Sequence, residues 1–127
     1  MNLTDTVAIA IRELQDQFGA THVSYDDDGS GGAYVRIDNI ELPAPYNSPT
    51  WLAFHIPFCI PSALIYPFFV RHDLRTDAFT HVAVREASWR ATPATQISLK
   101  PKNASDPELE TAVQRAIKVI AWLKAAA

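Results

Sequence analysis

One cysteine, four histidines and a run of three aspartates are the side chains of this 127-residue chain best suited to chemistry. To act as a nucleophile, Cys59 would need an exposed thiol with a lowered pKa, set by a nearby cation or a helix N-terminus. It lies instead between Phe58 and Ile60 in an uncharged stretch. Free cysteine is among the most buried residue types, so a structural role is expected. A lone cysteine excludes an internal disulfide and a cysteine-based zinc cluster. His22, His55, His72 and His81 show no metal-ligand spacing. Each reads as a surface or hydrogen-bonded histidine, with a catalytic dyad left open, and no metal or cofactor is expected. Asp26-Asp27-Asp28-Gly29 resembles the start of a calcium loop, but an EF-hand alternates its ligands and needs a glutamate at its twelfth position, where Ile37 stands. The segment therefore reads as a solvated hairpin turn. Arg85, Trp89 and Arg90 offer a partner-binding patch, because tryptophan and arginine are enriched where binding energy concentrates. A tryptophan in so small a domain is also a common core residue.

The elements that must position these groups follow from patterning. Val7, Ile11, Leu14 and Phe18 recur at helical spacing, with Asn2 or Thr4 available as a cap, Asp5 in the first turn and Gly19 as a stop. His22–Tyr25 is a short β-type run, and Ala33–Ile40 alternates as a half-buried strand. Three prolines within 43–49 force a turn. Trp51–Ile56 follows as a strand apolar on both faces, and Phe68-Phe69-Val70 as a last short strand. Residues 71–104 have weak periodicity, and so long an irregular segment is where a site would be sought. A long C-terminal helix is expected from a capping-box pattern at Ser105 and Glu108, Pro107 in the first turn, and an apolar stripe of Leu109, Val113, Ala116, Ile117, Ile120 and Leu123. The fold class is α+β: a helix, an antiparallel meander of three to four strands, an irregular segment and a helix, with both helices on one sheet face.

Charge narrows the partners. The net charge is −3, and Leu42 to Val70 contains no Lys, Arg, Asp or Glu. Trp51 to Val70 has the length of a membrane helix. Pro57, Pro61 and Pro67 argue against one, since each removes a backbone donor and keeps the residue before it extended. No membrane is expected, and an acidic chain with scattered bases makes nucleic acid a poor partner. Nothing at the N-terminus reads as a signal peptide, so the expected location is the cytoplasm. One domain, 1–127, accounts for the length.

The order of elements, together with Ile40-Glu41-Leu42-Pro43-Ala44-Pro45-Tyr46-Asn47, the strand Leu52-Ala53-Phe54-His55-Ile56-Pro57 and Tyr66-Pro67 leading into Phe68-Phe69-Val70, resembles the ubiquitin-conjugating-enzyme fold. The likeness is to its small bacterial members, found beside ubiquitin-like proteins and activating enzymes, and covers roughly residues 3–125. That resemblance implies a first helix, a four-strand meander, a Tyr-Pro segment, a long loop carrying the active-site cysteine, and further helices. Eukaryotic members place a His-Pro-Asn motif some eight residues before the cysteine and a tryptophan about as far after it. Here His72 is followed by Asp73-Leu74, and Trp89 matches the tryptophan. Counting from both brings the nucleophile's place to Thr80 or His81, neither a cysteine, and Cys59 falls more than twenty residues too early.

The resemblance thus implies a noncatalytic adaptor, a pseudoenzyme, for a bacterial ubiquitin-like protein, an activating enzyme or a catalytic partner. One alternative is an active transferase using Thr80 or Cys59. A threonine hydroxyl would need a base within hydrogen-bond reach, and His81, adjacent in an extended chain, would point to the opposite side. Another is a small α+β binding module unrelated to conjugation, with the uncharged stretch lining a pocket.

Overall fold

The computed structural model describes residues 3–59, 65–74, 84–98 and 111–125. The chain folds as helix α1 (Asp5–Phe18), strands β1 (Val23–Asp27), β2 (Ala33–Ile40), β3 (Thr50–Ile56), β4 (Phe68–Arg71), β5 (Val84–Trp89) and β6 (Thr92–Ile97), and helix α2 (Ala112–Ala125). The strands form one antiparallel sheet ordered β1-β2-β3-β4-β6-β5. The first four pair consecutively. The chain then skips a place, runs along the far edge as β5 and returns as β6 against β4. The α+β class is as expected, but six strands replace the three or four read from the sequence.

That hairpin lies inside the segment 71–104, which shows no clear period. Its two-residue turn is Arg90-Ala91, both with positive φ (48° and 71°). A two-residue hairpin of this kind usually announces itself with Asn-Gly or Asp-Gly, and here neither is present. Pro93 also reads as a strand breaker, yet it sits one residue past the last β4–β6 pair, Arg71↔Ala94, where the β4 ladder asks nothing of its nitrogen.

The core lies between one sheet face and the two helices. Val35, Ile37, Leu52, Phe54, Ile56, Phe68, Val70 and Ile97 meet Val7, Ala10, Ile11 and Leu14 of α1 and Ala112, Ala116, Val119 and Leu123 of α2. Thr4 caps α1, its Oγ1 accepting from the Val7 N–H at 3.3 Å, and Gly19 ends the helix at φ 94°. Strand β2 alternates until Ile37, and strict alternation would then turn Ile40 outward. A register shift between Ile37 and Ile40, with Asn39 at φ 64°, returns Ile40 to the core. Asparagine tolerates that left-handed conformation better than most residues.

Helix α2 corrects the expected stripe. Its described part begins after Thr111, whose Oγ1 accepts from the Gln114 N–H at 3.1 Å while Gln114 Oε1 accepts from the Thr111 N–H at 2.9 Å. This is the reciprocal capping box; Ser105, Pro107, Glu108 and Leu109 lie outside the described residues. The buried face is Ala112, Arg115, Ala116, Val119 and Leu123, so Ile117 is exposed and Val113 and Ile120 flank the core. The rotation follows from Arg115, which is buried, donates to the Ile65 carbonyl at 3.3 Å and lies 5.4 Å from the Phe68 ring centroid. A charge placed on an apolar ring and a carbonyl reads from sequence as the polar side of the helix.

The described part of the uncharged stretch supplies much of the core. Leu42, Tyr46, Leu52, Ala53, Phe54, Ile56, Ile65, Phe68 and Val70 are all buried. Arg71 fastens its proline-rich turn to the end of β4, donating to the Pro49 and Asn47 carbonyls and, through Nε and Nη2, to both carboxylate oxygens of Asp73 at 2.6 and 2.9 Å. This two-pronged bond raises the Arg71 pKa and lowers that of Asp73. Among the described residues, no helix is long and apolar enough to cross a membrane.

Candidate functional site

The sheet face turned away from the helices carries an array of polar and aromatic side chains. The strand registers place Asp26, Tyr34, Arg36, Trp51, His55, Phe69, Arg71, Arg85 and Trp89 on it. In a flat sheet β5 would lie four strands, about 19 Å, from β2. The Trp89 ring nevertheless lies 5.2 Å from that of Phe69 and 5.9 Å from that of Tyr34, the latter edge-on at 78°. The β5–β6 end of the sheet therefore coils over this outer face and makes it concave. Ala87 and Ala94, the small outward pair between Trp89 and the base of the hairpin, leave room for the bend.

The coil brings the turn after Trp89 against the first hairpin. Arg90 reaches back to Asp26, Nη1 to Oδ2 at 2.7 Å, and its guanidinium lies 4.5 Å from the Tyr34 ring centroid. Arg36 lies over Trp51 at 4.9 Å and donates from Nε to Asp38 at 2.7 Å. Between these groups is a cleft of about 330 Å³ lined by Ser24, Tyr25, Asp26, Tyr34, Val35, Arg36, Trp89, Arg90 and Thr92. The cleft holds two guanidiniums against one carboxylate and three aromatic rings, a surface suited to acidic or aromatic groups.

Beside it, Tyr34 also meets His55, with ring centroids 5.1 Å apart. His55 Nε2 stands 2.6 Å from Asp28 Oδ2, and Asp28 Oδ1 accepts from the Ser30 and Gly32 N–H groups at 2.7 and 3.0 Å. The His55 bond, aided by those two N–H groups and opposed by burial, holds the Asp28 carboxyl below its ordinary pKa. An ionised carboxylate only accepts, so Nε2 carries the proton. Gly32 is required here because a methyl group at that position would overlap the Ile56 carbonyl oxygen and Asp28 Oδ2.

The three aspartates do not form a common site. Asp26 turns to Arg90, Asp27 caps the Gly29 N–H at 2.6 Å, and Asp28 is drawn inward to His55. The turn is thus a bonded joint between two hairpins, where the sequence reads as solvated surface. Among the described residues there is no group of three or more His, Cys, Asp or Glu able to hold a metal.

Of the expected partner-binding residues, Trp89 and Arg90 meet in the cleft, while Arg85 lies on the same face of β5 outside it. Trp89 is half-buried: it is both a wall of the site and the packing that holds the hairpin down. Cys59 is a half-buried free thiol rather than a core residue. Thr80 and His81 lie outside the described residues. The cleft takes nothing from the uncharged stretch, so that stretch does not line this site. Tyr34 and Arg36 are outward by the alternation of β2 and could have been singled out by it; their meeting with Arg90 depends on a hairpin the sequence hides. The chain matches no known family model, no curated protein and no solved structure.

Proposed function

We propose that this domain is a noncatalytic ubiquitin-conjugating-enzyme-like adaptor of a bacterial ubiquitin-like modification pathway, binding a ubiquitin-like protein, an activating enzyme or a catalytic partner. One observation carries the reading: a helix followed by four consecutively paired antiparallel strands, with Tyr66-Pro67 placed directly before β4. That is the order in which the resembling fold is assembled. The β5–β6 hairpin is the departure. It occupies chain that the family pattern gives to the cysteine-bearing loop and spends it on a concave aromatic and cationic face. A surface of Trp89, Arg90, Arg36 and Tyr34 is built of the residue types that anchor protein interfaces. Fold likeness alone does not fix function, so the test is binding. Immobilised protein is presented with any ubiquitin-like protein or activating enzyme encoded beside it. Saturable retention that Arg90→Glu weakens supports the adaptor; no retention of either at high micromolar concentration overturns it.

One alternative is an active transferase, for which Cys59, partly accessible and not sealed in the core, is a candidate nucleophile. With the cognate activating enzyme and ATP, that reading requires a covalent adduct on this chain. An adduct released by thiol marks Cys59, and one that survives reductant but is cleaved by mild base marks a hydroxyl such as Thr80.

A further inference from the structure

The cleft under the β5–β6 turn has the dimensions and the donor groups of a small-molecule site, and we infer that it binds a planar aromatic monocarboxylate. The inference stands apart from the adaptor reading, since a protein partner would cover the face whether or not the cleft is filled. A cavity of roughly 150 Å³ holds benzene, so 330 Å³ holds a ring system with one oxyanion substituent, and no dinucleotide-sized ligand.

The walls decide the ligand's chemistry. Tyr34 and Trp89 stand edge to face at 78° in the lining, with the Arg90 guanidinium over the Tyr34 ring, so a flat ring entering the cleft meets aromatic edges and guanidinium planes. Arg90 spends Nη1 on Asp26 and Arg36 spends Nε on Asp38, and a guanidinium has five N–H donors in a planar fork. The donors beyond those two bonds match the two oxygens of a carboxylate. Each guanidinium already answers one carboxylate, Arg90 Asp26 and Arg36 Asp38, so the cleft attracts an anion through its unused N–H donors and not through an excess of charge. Asp26 lies on the same wall and limits the ligand to one negative group: a second carboxylate would approach it without a cation of its own.

The test uses 2-naphthoate, titrated into the 15N-labelled full chain. Saturable amide shifts confined to residues 24–36 and 89–92, with a dissociation constant below about 1 mM, are expected. Acetate, 2-naphthylmethanol and naphthalene-2,6-dicarboxylate should each bind at least about tenfold more weakly, a difference worth about 1.4 kcal/mol. Arg36 is exposed, so Arg36→Gln should keep the spectrum of the folded protein and weaken 2-naphthoate at least fivefold. Arg85→Gln, on the same strand face but outside the cleft, should change nothing. Absence of saturation, equal affinity for 2-naphthylmethanol, or full affinity in folded Arg36→Gln would each overturn the inference.

Discussion

His55 and Asp28 are 27 residues apart in the chain and 2.6 Å apart in space, Nε2 to Oδ2, and this bond ties the β1–β2 turn to the end of the central strand β3. The Asp28 side chain is 8% exposed, so its carboxylate has exchanged water for His55 and two backbone donors. Asp28→Asn should destabilise the domain by about 1–3 kcal/mol, the usual cost of breaking hydrogen bonds to a buried charge. Urea denaturation of both proteins at pH 6 measures it.

The same carboxylate gives the pH dependence a sign. Its pKa is lowered in the folded protein, so the unfolded chain takes up a proton first as pH falls. The stabilisation is complete above the ordinary carboxyl value near 3.8 and is lost as pH drops through the lower folded value. In that acid range the stability gap between wild type and Asp28→Asn should therefore narrow, below about pH 4. A gap that widens on acidification would contradict the assignment.

Gly32 and Gly29 offer a paired test of the turn. A methyl at Gly32 meets the Ile56 carbonyl and the Asp28 carboxylate, whereas one at Gly29 meets open space and only a positive φ of 84°. Gly32→Ala should cost about 2–3 kcal/mol, by overpacking that spreads to the His55 bond. Gly29→Ala should cost about 1 kcal/mol, from backbone strain alone. Thermal melts rank the two, and equal losses would refute the close approach at Gly32.

Trp89 is expected to act as the latch of the second hairpin. Trp89→Ala removes its contacts with Phe69 and Tyr34 and should cost about 1–3 kcal/mol, less than a fully buried tryptophan. Hydrogen exchange should quicken in β5 and β6 while α1 and β2 to β3 keep their protection.

The elements legible in the sequence are those whose burial has a period. Val7, Ile11 and Leu14 mark α1, and β2 is read to its ends because Val35 and Ile37 alternate with Tyr34 and Arg36. The hairpin at 84–97 escapes because its outward positions are Arg85, Ala87 and Trp89, its inward ones include Glu86 and Ser88, and its turn residues adopt positive φ without glycine or asparagine. The site inherits that blindness. Trp89 and Arg90 draw notice by residue type, but Tyr34, Arg36 and Asp26 join them only once the sheet coils. Asp28 and His55 each look like surface residues until a 27-residue separation is closed.

The two outer strands of the sheet, β1 and β5, bear on how copies of this chain meet. Every residue of β1 after Val23 is exposed, and its last two are Asp26 and Asp27. Were two molecules to extend their sheets by joining along β1, four carboxylates would crowd into one short ladder, and Arg90 could answer only one per molecule. An open edge that would otherwise template fibre growth is thus kept single by like charge.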